Sequence, residues 1–261
     1  MAESEKPKHL HAARPMRHEL FSRSPVDIII PFHGVYGKVT KLIESILFVT
    51  RSNPYRICLV DDCSPNEKYI EQLQNAPQVT PLRTPKQLGF GGALQFGFER
   101  TQQPWVVFMH SDCLIADQGW LIEMGKSLMR WRNEGVPVKM VSARTDNQVG
   151  GPKALKAPPK TKGKDIILEE GHLPLYCVMC HRDLFPNIGG FIKNYPYAWY
   201  EDEELACRMR ARKFKQGICG KSWVKHYGGL TIENLWKMNP KSKEIMEGNR
   251  DRCLQDMQLL V

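Results

Sequence analysis

Apolar positions along the chain fall into short runs broken by polar, glycine- and proline-bearing stretches, and the spacing inside each run predicts its element. Val26 to Ile30 is a β-branched run closed by Pro31, which predicts a buried strand ending where proline has no N–H for the ladder. Gly34 to Gly37 turn the chain, and from Lys38 onward Val39, Leu42, Ile43, Ile46 and Leu47 recur at helical spacing. Arg56 to Val60 predicts a second strand that runs straight into Asp61-Asp62-Cys63-Ser64-Pro65. Strand, helix and strand in that order imply a parallel sheet and an α/β fold.

Further on, Glu67 to Gln74 predicts a helix and Val79 to Leu82 a strand, while the glycine-rich segment Gln87 to Gly97 reads as a loop entering a helix. Val106 to Met109 is an apolar run that stops at His110-Ser111-Asp112. That is the pattern of a buried strand whose carboxyl end delivers an acid to a cleft. Trp120 to Trp131 carries Leu121, Met124, Leu128 and Met129 on one helical side, and Val136 to Val141 predicts another strand. Residues 144–164 hold glycine, proline and lysine without apolar period, which predicts a long mobile loop. Leu173 to Met179 reads as a strand. Glu201 to Glu204 open a helix continued by Leu205, Arg208, Met209 and Arg212, with acids at the positive end of its dipole. Trp223 to Lys225 then brings His226 to a glycine-containing loop.

With 261 residues, 42% of them hydrophobic and 25% charged, the composition is that of a globular protein with a substantial core. Residues 1–24 lack periodicity and predict a flexible basic arm, 25–230 read as one domain, and 231–261 as a helical C-terminal extension. No run approaches the roughly 18 apolar residues that span a bilayer. The N-terminus shows no apolar leader, so the chain reads as soluble and cytoplasmic. Cys58, Cys177 and Cys180 sit in apolar runs and predict reduced thiols. Cys177 to His181 has the spacing of half a zinc site without a second half, and reads as core strand.

The net charge of +9 is uneven, with Lys153, Lys156, Lys160, Lys162 and Lys164 in one acid-free stretch and a second basic run from Arg208 to Lys225. Such runs are most often solvated surface. They also suit a polyanionic partner: nucleic acid, an anionic membrane surface or a cofactor diphosphate. Asp112 is placed to hold a divalent cation against a phosphate, or to cap the next turn. The glycines from Gly89 can bring backbone N–H groups to a phosphate or allow close helix packing. A dinucleotide fingerprint needs glycine or alanine where Leu94 stands, which disfavours a nicotinamide oxidoreductase.

Taken in order, several segments resemble the inverting nucleotide-sugar glycosyltransferases of the GT-A type, family 2, over roughly Val26 to Gly229. They are Val26 to His33, Leu59 to Ser64, Gly89 to Ala93, His110-Ser111-Asp112, Tyr200-Glu201-Asp202 before Arg208, and Lys225 to Gly229. The resemblance implies a GT-A fold: a Rossmann-like, nucleotide-binding mixed sheet flanked by helices in a single domain, with a nucleotide-binding half over 25–113 and an acceptor half over 114–230. It implies a nucleotide-sugar donor, first a UDP-sugar, in a pocket of Pro31, Phe32, His33, Asp61 and Asp62, with Gly89, Gly91 and Ser111. Asp62 matches the acid that contacts the base. Asp112 matches the last acid of the DXD motif, His110 replaces its first, and His226 matches a histidine near the metal or diphosphate in relatives. Mn²⁺ or Mg²⁺ is thus implied at Asp112, His226 and His110, with fewer acids than is usual. Asp202 matches the acid of the Glu-Asp motif and is the implied general base, with Glu201 positioning substrate.

In-line attack assisted by one carboxylate inverts the anomeric centre, and such a base contributes about 10² to 10⁴ in rate. The acceptor stays open between a glycan, a lipid-linked sugar, a protein, a small molecule and a hydroxymethylated pyrimidine of DNA, the last suggested by the basic charge. The alternative is a non-catalytic module that keeps the fold and binds nucleotide or polyanion.

Overall fold

β1 (Val26–Phe32) is buried at every position, as a β-branched run with neighbours on both edges requires. It pairs in parallel with β2 (Tyr55–Asp61) and β4 (Trp105–Met109), and β2 pairs in parallel with β3 (Val79–Arg83). Helix α1 (Tyr36–Val49) connects β1 to β2 and buries Val39, Leu42, Ile43 and Ile46, the positions its period picks out. Helix α2 (Gly89–Phe98) connects β3 to β4. The structure is a computed structural model describing residues 21–259 apart from 22, 52, 67–68, 70–75, 148–149, 160, 193, 230–232, 234 and 238. The predicted helix Glu67 to Gln74, Tyr69 excepted, and most of the predicted N-terminal arm lie outside the described residues.

Past β4 the chain forms β5 (Cys113–Ile115), α3 (Trp120–Asn133), β6 (Val138–Arg144), β7 (Ile166–Leu168) and β8 (Cys177–His181). Helices α4 (Leu184–Asn187) and α5 (Glu201–Ala211) precede β9 (Lys215–His226), and α6 (Lys241–Glu247) and α7 (Asn249–Gln258) follow it. β8 runs antiparallel to β4 and β6, β6 runs parallel to β9, and β5 and β7 pair antiparallel with β9. The result is a nine-stranded mixed sheet in the order β3-β2-β1-β4-β8-β6-β9-β5, with β7 also on β9. Helices cover it, and the carboxyl ends of β1, β2 and β4 share one edge. In open α/β sheets that is where ligands collect.

Several sequence expectations are corrected. Gln87 to Gly97 is not mainly a loop, because α2 begins at Gly89. At Gly97 a Cβ would stand 2.7 Å from Ile29 Cγ2 and 2.8 Å from Val60 Cγ2, so this glycine lets the helix lie close on β1 and β2. Phe21, counted with the arm by composition, is fully buried edge-on to Trp105 with ring centroids 5.3 Å apart. β8 starts at Cys177, four residues later than expected, with Leu173 to Tyr176 forming an irregular approach.

The stretch 144–164 is irregular but pinned. Leu155 and Ala157 are buried, Thr145 and Leu155 share a backbone hydrogen bond, and Trp223 Nε1 donates to the Ala157 carbonyl at 3.1 Å. Cys177 and Cys180 lie in β8 with burial pushing both thiols up, and all eight cysteines are free. No helix of the described residues is long and apolar enough to cross a membrane.

Gly97→Ala sets a gain in helix propensity of about 1 kcal/mol against overpacking of about 1–3 kcal/mol. With three atoms already inside 3.4 Å, overpacking wins. Urea unfolding should show a lower midpoint with an unchanged m-value.

Candidate active site

The carboxyl ends of β1, β2 and β4 open into a cleft of about 480 Å³. Pro31, Phe32 and His33 leave β1 along it, Asp62 follows β2, and His110, Ser111 and Asp112 follow β4. Gln87, Gly89, Phe90 and Ala93 at the start of α2 also line it, and later segments add His172, Pro174 and Leu175 ahead of β8, Tyr197 to Glu203 at the start of α5, and His226 at the end of β9. Asp112 and Asp202 therefore share one cavity.

His226 reaches Asp112 through sheet geometry. β5 and β9 pair with Cys113 opposite His226, and the Tyr227 N–H donates to the Asp112 carbonyl at 3.0 Å. His226 Nε2 then lies 3.3 Å from Asp112 Oδ1 and 3.3 Å from His110 Nδ1. The Tyr176 ring stacks on His226 at 5.0 Å and 15°, and the edge-on Phe90 ring lies 4.9 Å from His110. One ligand atom from each of His110, Asp112 and His226 falls within 4.8 Å of the others. Two imidazole nitrogens and a carboxylate oxygen suit a divalent first-row metal better than an all-oxygen set would. Burial, helped by His226 and opposed by Asp112, pushes His110 down to about 4, so its imidazole is in the neutral, ligand-competent form at pH 7. At Asp112 burial works to raise the carboxyl, but the hydrogen bond from His226 and the nearby imidazoles outweigh it and the net direction is down.

Asp62 does two things at once. Its Oδ1 accepts the Leu88 N–H at 2.7 Å and the Thr84 hydroxyl at 3.1 Å, and its Oδ2 accepts the Gly89 N–H at 2.9 Å. It thereby caps α2 while lining the cleft; burial drives its carboxyl up against the opposing pull of those donors. A carboxylate offers about four acceptor positions, so three uses leave roughly one for a ligand N–H. Two further amides of the first turn are engaged: Phe90 N–H donates to the Tyr197 carbonyl at 2.7 Å and Gly92 N–H to Asn194 Oδ1 at 2.9 Å. Of the two readings of the glycine segment, these bonds favour close packing at Gly89, Phe90 and Gly92. Gly89 is required because it sits at φ +81 with Tyr197 backbone atoms 3.0 Å from where a Cβ would be.

Two residues expected in the donor pocket are placed elsewhere. Asp61 ends β2 on the other side of the backbone from Asp62, paired with Arg83 and accepting the Ser64 N–H at 2.9 Å. Its carboxylate holds the turn and is absent from the cleft lining, as is Gly91, buried in the first turn of α2. Glu204 and Arg208, from the acid cluster and the basic run, form a buried pair at 2.7 Å that also ties Arg208 to the Gly190 and Phe191 carbonyls.

The segment before α5 is strained. Tyr197, Trp199 and Tyr200 have φ of 67, 84 and 73, a left-handed backbone that costs non-glycine residues about 1–3 kcal/mol each. The C-terminal helices hold it there. Asn249, fully buried, donates to the Pro196 and Ala198 carbonyls at 2.9 and 2.8 Å, Asn239 donates to the Tyr197 hydroxyl at 3.0 Å, and Tyr195 donates to Asp256 at 2.8 Å. At the start of α5, Glu201 is buried and its Oε1 has no hydrogen-bond partner among the described residues. Burial and the charge of Asp202 push Glu201 up to about 8, so it is largely protonated at neutral pH. Asp202 is raised as well, first by burial and then by Glu203, with His172 opposing from 3.7 Å. His172, Tyr197 and Trp199 escaped the sequence reading because they lie in aperiodic loops; the aromatic run before Glu201 was the one available signal.

A parallel half-sheet with a capped glycine-rich helix, continued by antiparallel strands that return a histidine to the same cleft, is the GT-A type of glycosyltransferase fold. The chain belongs to glycosyl transferase family 2, whose sequence model matches residues 27–188. A 94-residue stretch is 30% identical to an uncharacterized glycosyltransferase of Haemophilus influenzae, covering 36% of this chain and 31% of that protein. Among solved structures, GalNAc-T7 with UDP, GalNAc and Mn²⁺ superposes with a TM-score of 0.61 at 17% identity, over 78% of this chain and 44% of the other. TarS 1–349 of S. aureus with UDP-GlcNAc gives 0.58 at 14% over 80% and 60%. The mannosyltransferase PcManGT of Pyrobaculum calidifontis with GDP-Man and Mn²⁺ gives 0.58 at 15% over 78% and 57%. The chain spans less than two thirds of the length of each of these relatives.

Asn249→Ala removes the amide donors to the Pro196 and Ala198 carbonyls; Pro196 keeps the Ala198 N–H at 3.0 Å, so the loss falls mainly on the Ala198 carbonyl, at about 1–3 kcal/mol. Chemical denaturation should register a loss in that range, and near-UV circular dichroism should report loosening around Tyr197 and Trp199.

Proposed function

We propose that the chain is an inverting glycosyltransferase that moves a sugar from a nucleoside-diphosphate-sugar, a UDP-sugar first, to an acceptor hydroxyl. The observation that carries this is the convergence of Asp112, with its two histidines, and Asp202 on one cavity. Family membership supports it, as do the nucleotide-sugars and nucleotides bound by the similar folds.

In this reading Pro31 to His33 wall the nucleoside, and the remaining acceptor position of Asp62 takes a base N–H. His110, Asp112 and His226 would hold Mn²⁺ or Mg²⁺, which when bound supplies neutralisation of the diphosphate leaving group. Ser111 sits between two of those ligands on the donor side. Asp202 takes the proton of the acceptor hydroxyl as that oxygen attacks the anomeric carbon and the C–O bond to the diphosphate breaks. Attack from the side opposite the leaving group inverts the centre. Neutral Glu201 can both donate to and accept from substrate hydroxyls. The domain reading follows: a donor half over 25–113, an acceptor half over 114–230, and a C-terminal extension bracing the acceptor half.

Asp202→Asn should fold and bind donor yet lose about 10² to 10⁴ in transfer rate, as expected for a missing general base; near-wild-type turnover of UDP-sugars in a product assay would exclude Asp202 from that role. The base must be ionised, so the rate should rise with pH through an acidic limb above the usual carboxylate range, the direction in which burial and Glu203 push Asp202. His172 opposes that push, so His172→Gln should move the limb to higher pH. Asp112→Ala should abolish the Mn²⁺ dependence of UDP binding in calorimetry. Donor binding by the wild-type chain with neither transfer nor hydrolysis would favour the non-catalytic alternative.

A further inference from the structure

The cleft is chemically at odds with the chain that carries it. Net charge is +9, yet no lysine or arginine lines the cleft among the described residues, while Asp62, Asp112, Glu201, Asp202 and Glu203 all do. The cations are placed elsewhere. Lys38, Lys41 and Lys237 border a separate open groove with Glu233, Lys225 pairs with Asp146 at 3.0 Å, and Lys215 pairs with Glu169 at 2.6 Å. A polyanionic acceptor entering beside Asp202 would meet carboxyl groups with no lysine or arginine from the wall to set against them, His172 being already paired with Asp202.

What the wall does offer is aromatic surface. Tyr197, Trp199 and Tyr200 line the cleft directly ahead of the two acids, in the left-handed conformation held by Asn249 and Asn239. Trp199 is braced edge-on by Trp236, with centroids 5.9 Å apart at 88°. Strain concentrated on three adjacent-lying aromatic residues, and stabilised from a separate segment, is the mark of side chains held for a ligand. The buried, unpartnered Oε1 of Glu201 is an independent pointer, since a buried oxygen without a partner is costly unless a ligand supplies one. An aromatic face beside carboxyl groups matches a pyranose, whose C–H face is apolar and whose rim is hydroxyl.

We infer that the acceptor subsite takes a neutral saccharide ring, packed on Trp199 with hydroxyl contacts to Glu201, and not a polyanion such as DNA. The inference rests on the transferase reading only for calling this ligand the acceptor.

The test reads binding. Saturation-transfer NMR on the full chain, with UDP and Mn²⁺ present, would use β-linked disaccharides of glucose, N-acetylglucosamine, galactose and mannose, with retardation of duplex DNA measured alongside. At least one disaccharide should bind saturably. Trp199→Ala should weaken it about tenfold, in line with an aromatic contact and its buried area. Trp199→Phe should recover most of the loss, Trp199→Leu, which keeps bulk against Trp236, should not, and Lys41→Ala with Lys237→Ala should leave saccharide binding unchanged. Absence of disaccharide binding, equal binding by the Leu and wild-type proteins, or DNA retardation abolished by the Trp199 variants would overturn the inference. Saccharide bound at Trp199 without any transfer from a UDP-sugar would sink the transferase reading alone, and transfer to a polyanion without saccharide binding would sink this one alone.

Discussion

The cleft exists because the first turn of α2 is satisfied from two directions. Its leading amides go to the Asp62 carboxylate on one side and to the Tyr197 carbonyl and Asn194 on the other, so one helix end joins the wall following β2 to the wall preceding α5. Helix N-termini leave amides without intrahelical partners, and burying one unmet costs about 1–3 kcal/mol. Gly89 is the condition for that junction, since any side chain there would collide with the backbone it must meet. This joint ties Asp62 to the segment that leads into the acids of α5.

Electrostatics within the cleft then sort acids of similar surroundings into different states. Asp112 receives an imidazole hydrogen bond and stays ionised; Glu201 receives none and holds its proton; Asp202 lies between, with His172 on one side and Glu203 on the other. Environments that push neighbouring carboxyl groups apart in this way are what the proposed division of roles among Asp112, Glu201 and Asp202 requires.

The sequence discloses features whose physics is local. β1, β2, β4, α1 and α3 show because each buries a face whose period can be read from a few residues; Asp62, Asp112 and His226 show because they stand where apolar runs stop, and Asp202 because its acidic cluster resembles the family's Glu-Asp motif. β9 was legible only at its end: Gly217, Gly220 and Lys221 break its apolar pattern, and its strand character comes from pairing with β6, β7 and β5. Asp61 was drawn into the pocket by adjacency to Asp62, although neighbouring strand residues point to opposite faces, a rule that separates them. His172, Trp199 and Asn249 were out of reach, because what brings them to the cleft is long-range docking of irregular backbone.

β9 also constrains how this chain can change length. Its twelve residues run beside β6, where the register shifts between the Ser142–Ile218 and Arg144–Trp223 pairs, and on to the pairing with β5 that sets His226 against Asp112. Side chains alternate across a strand, so a single-residue insertion or deletion past that irregularity, between Trp223 and Lys225, would present Lys225 or Tyr227 where the imidazole belongs. Length is therefore fixed over the last residues before His226, while the irregular stretch from Ile218 to Trp223 is where β9 can take up an added residue without turning the imidazole away.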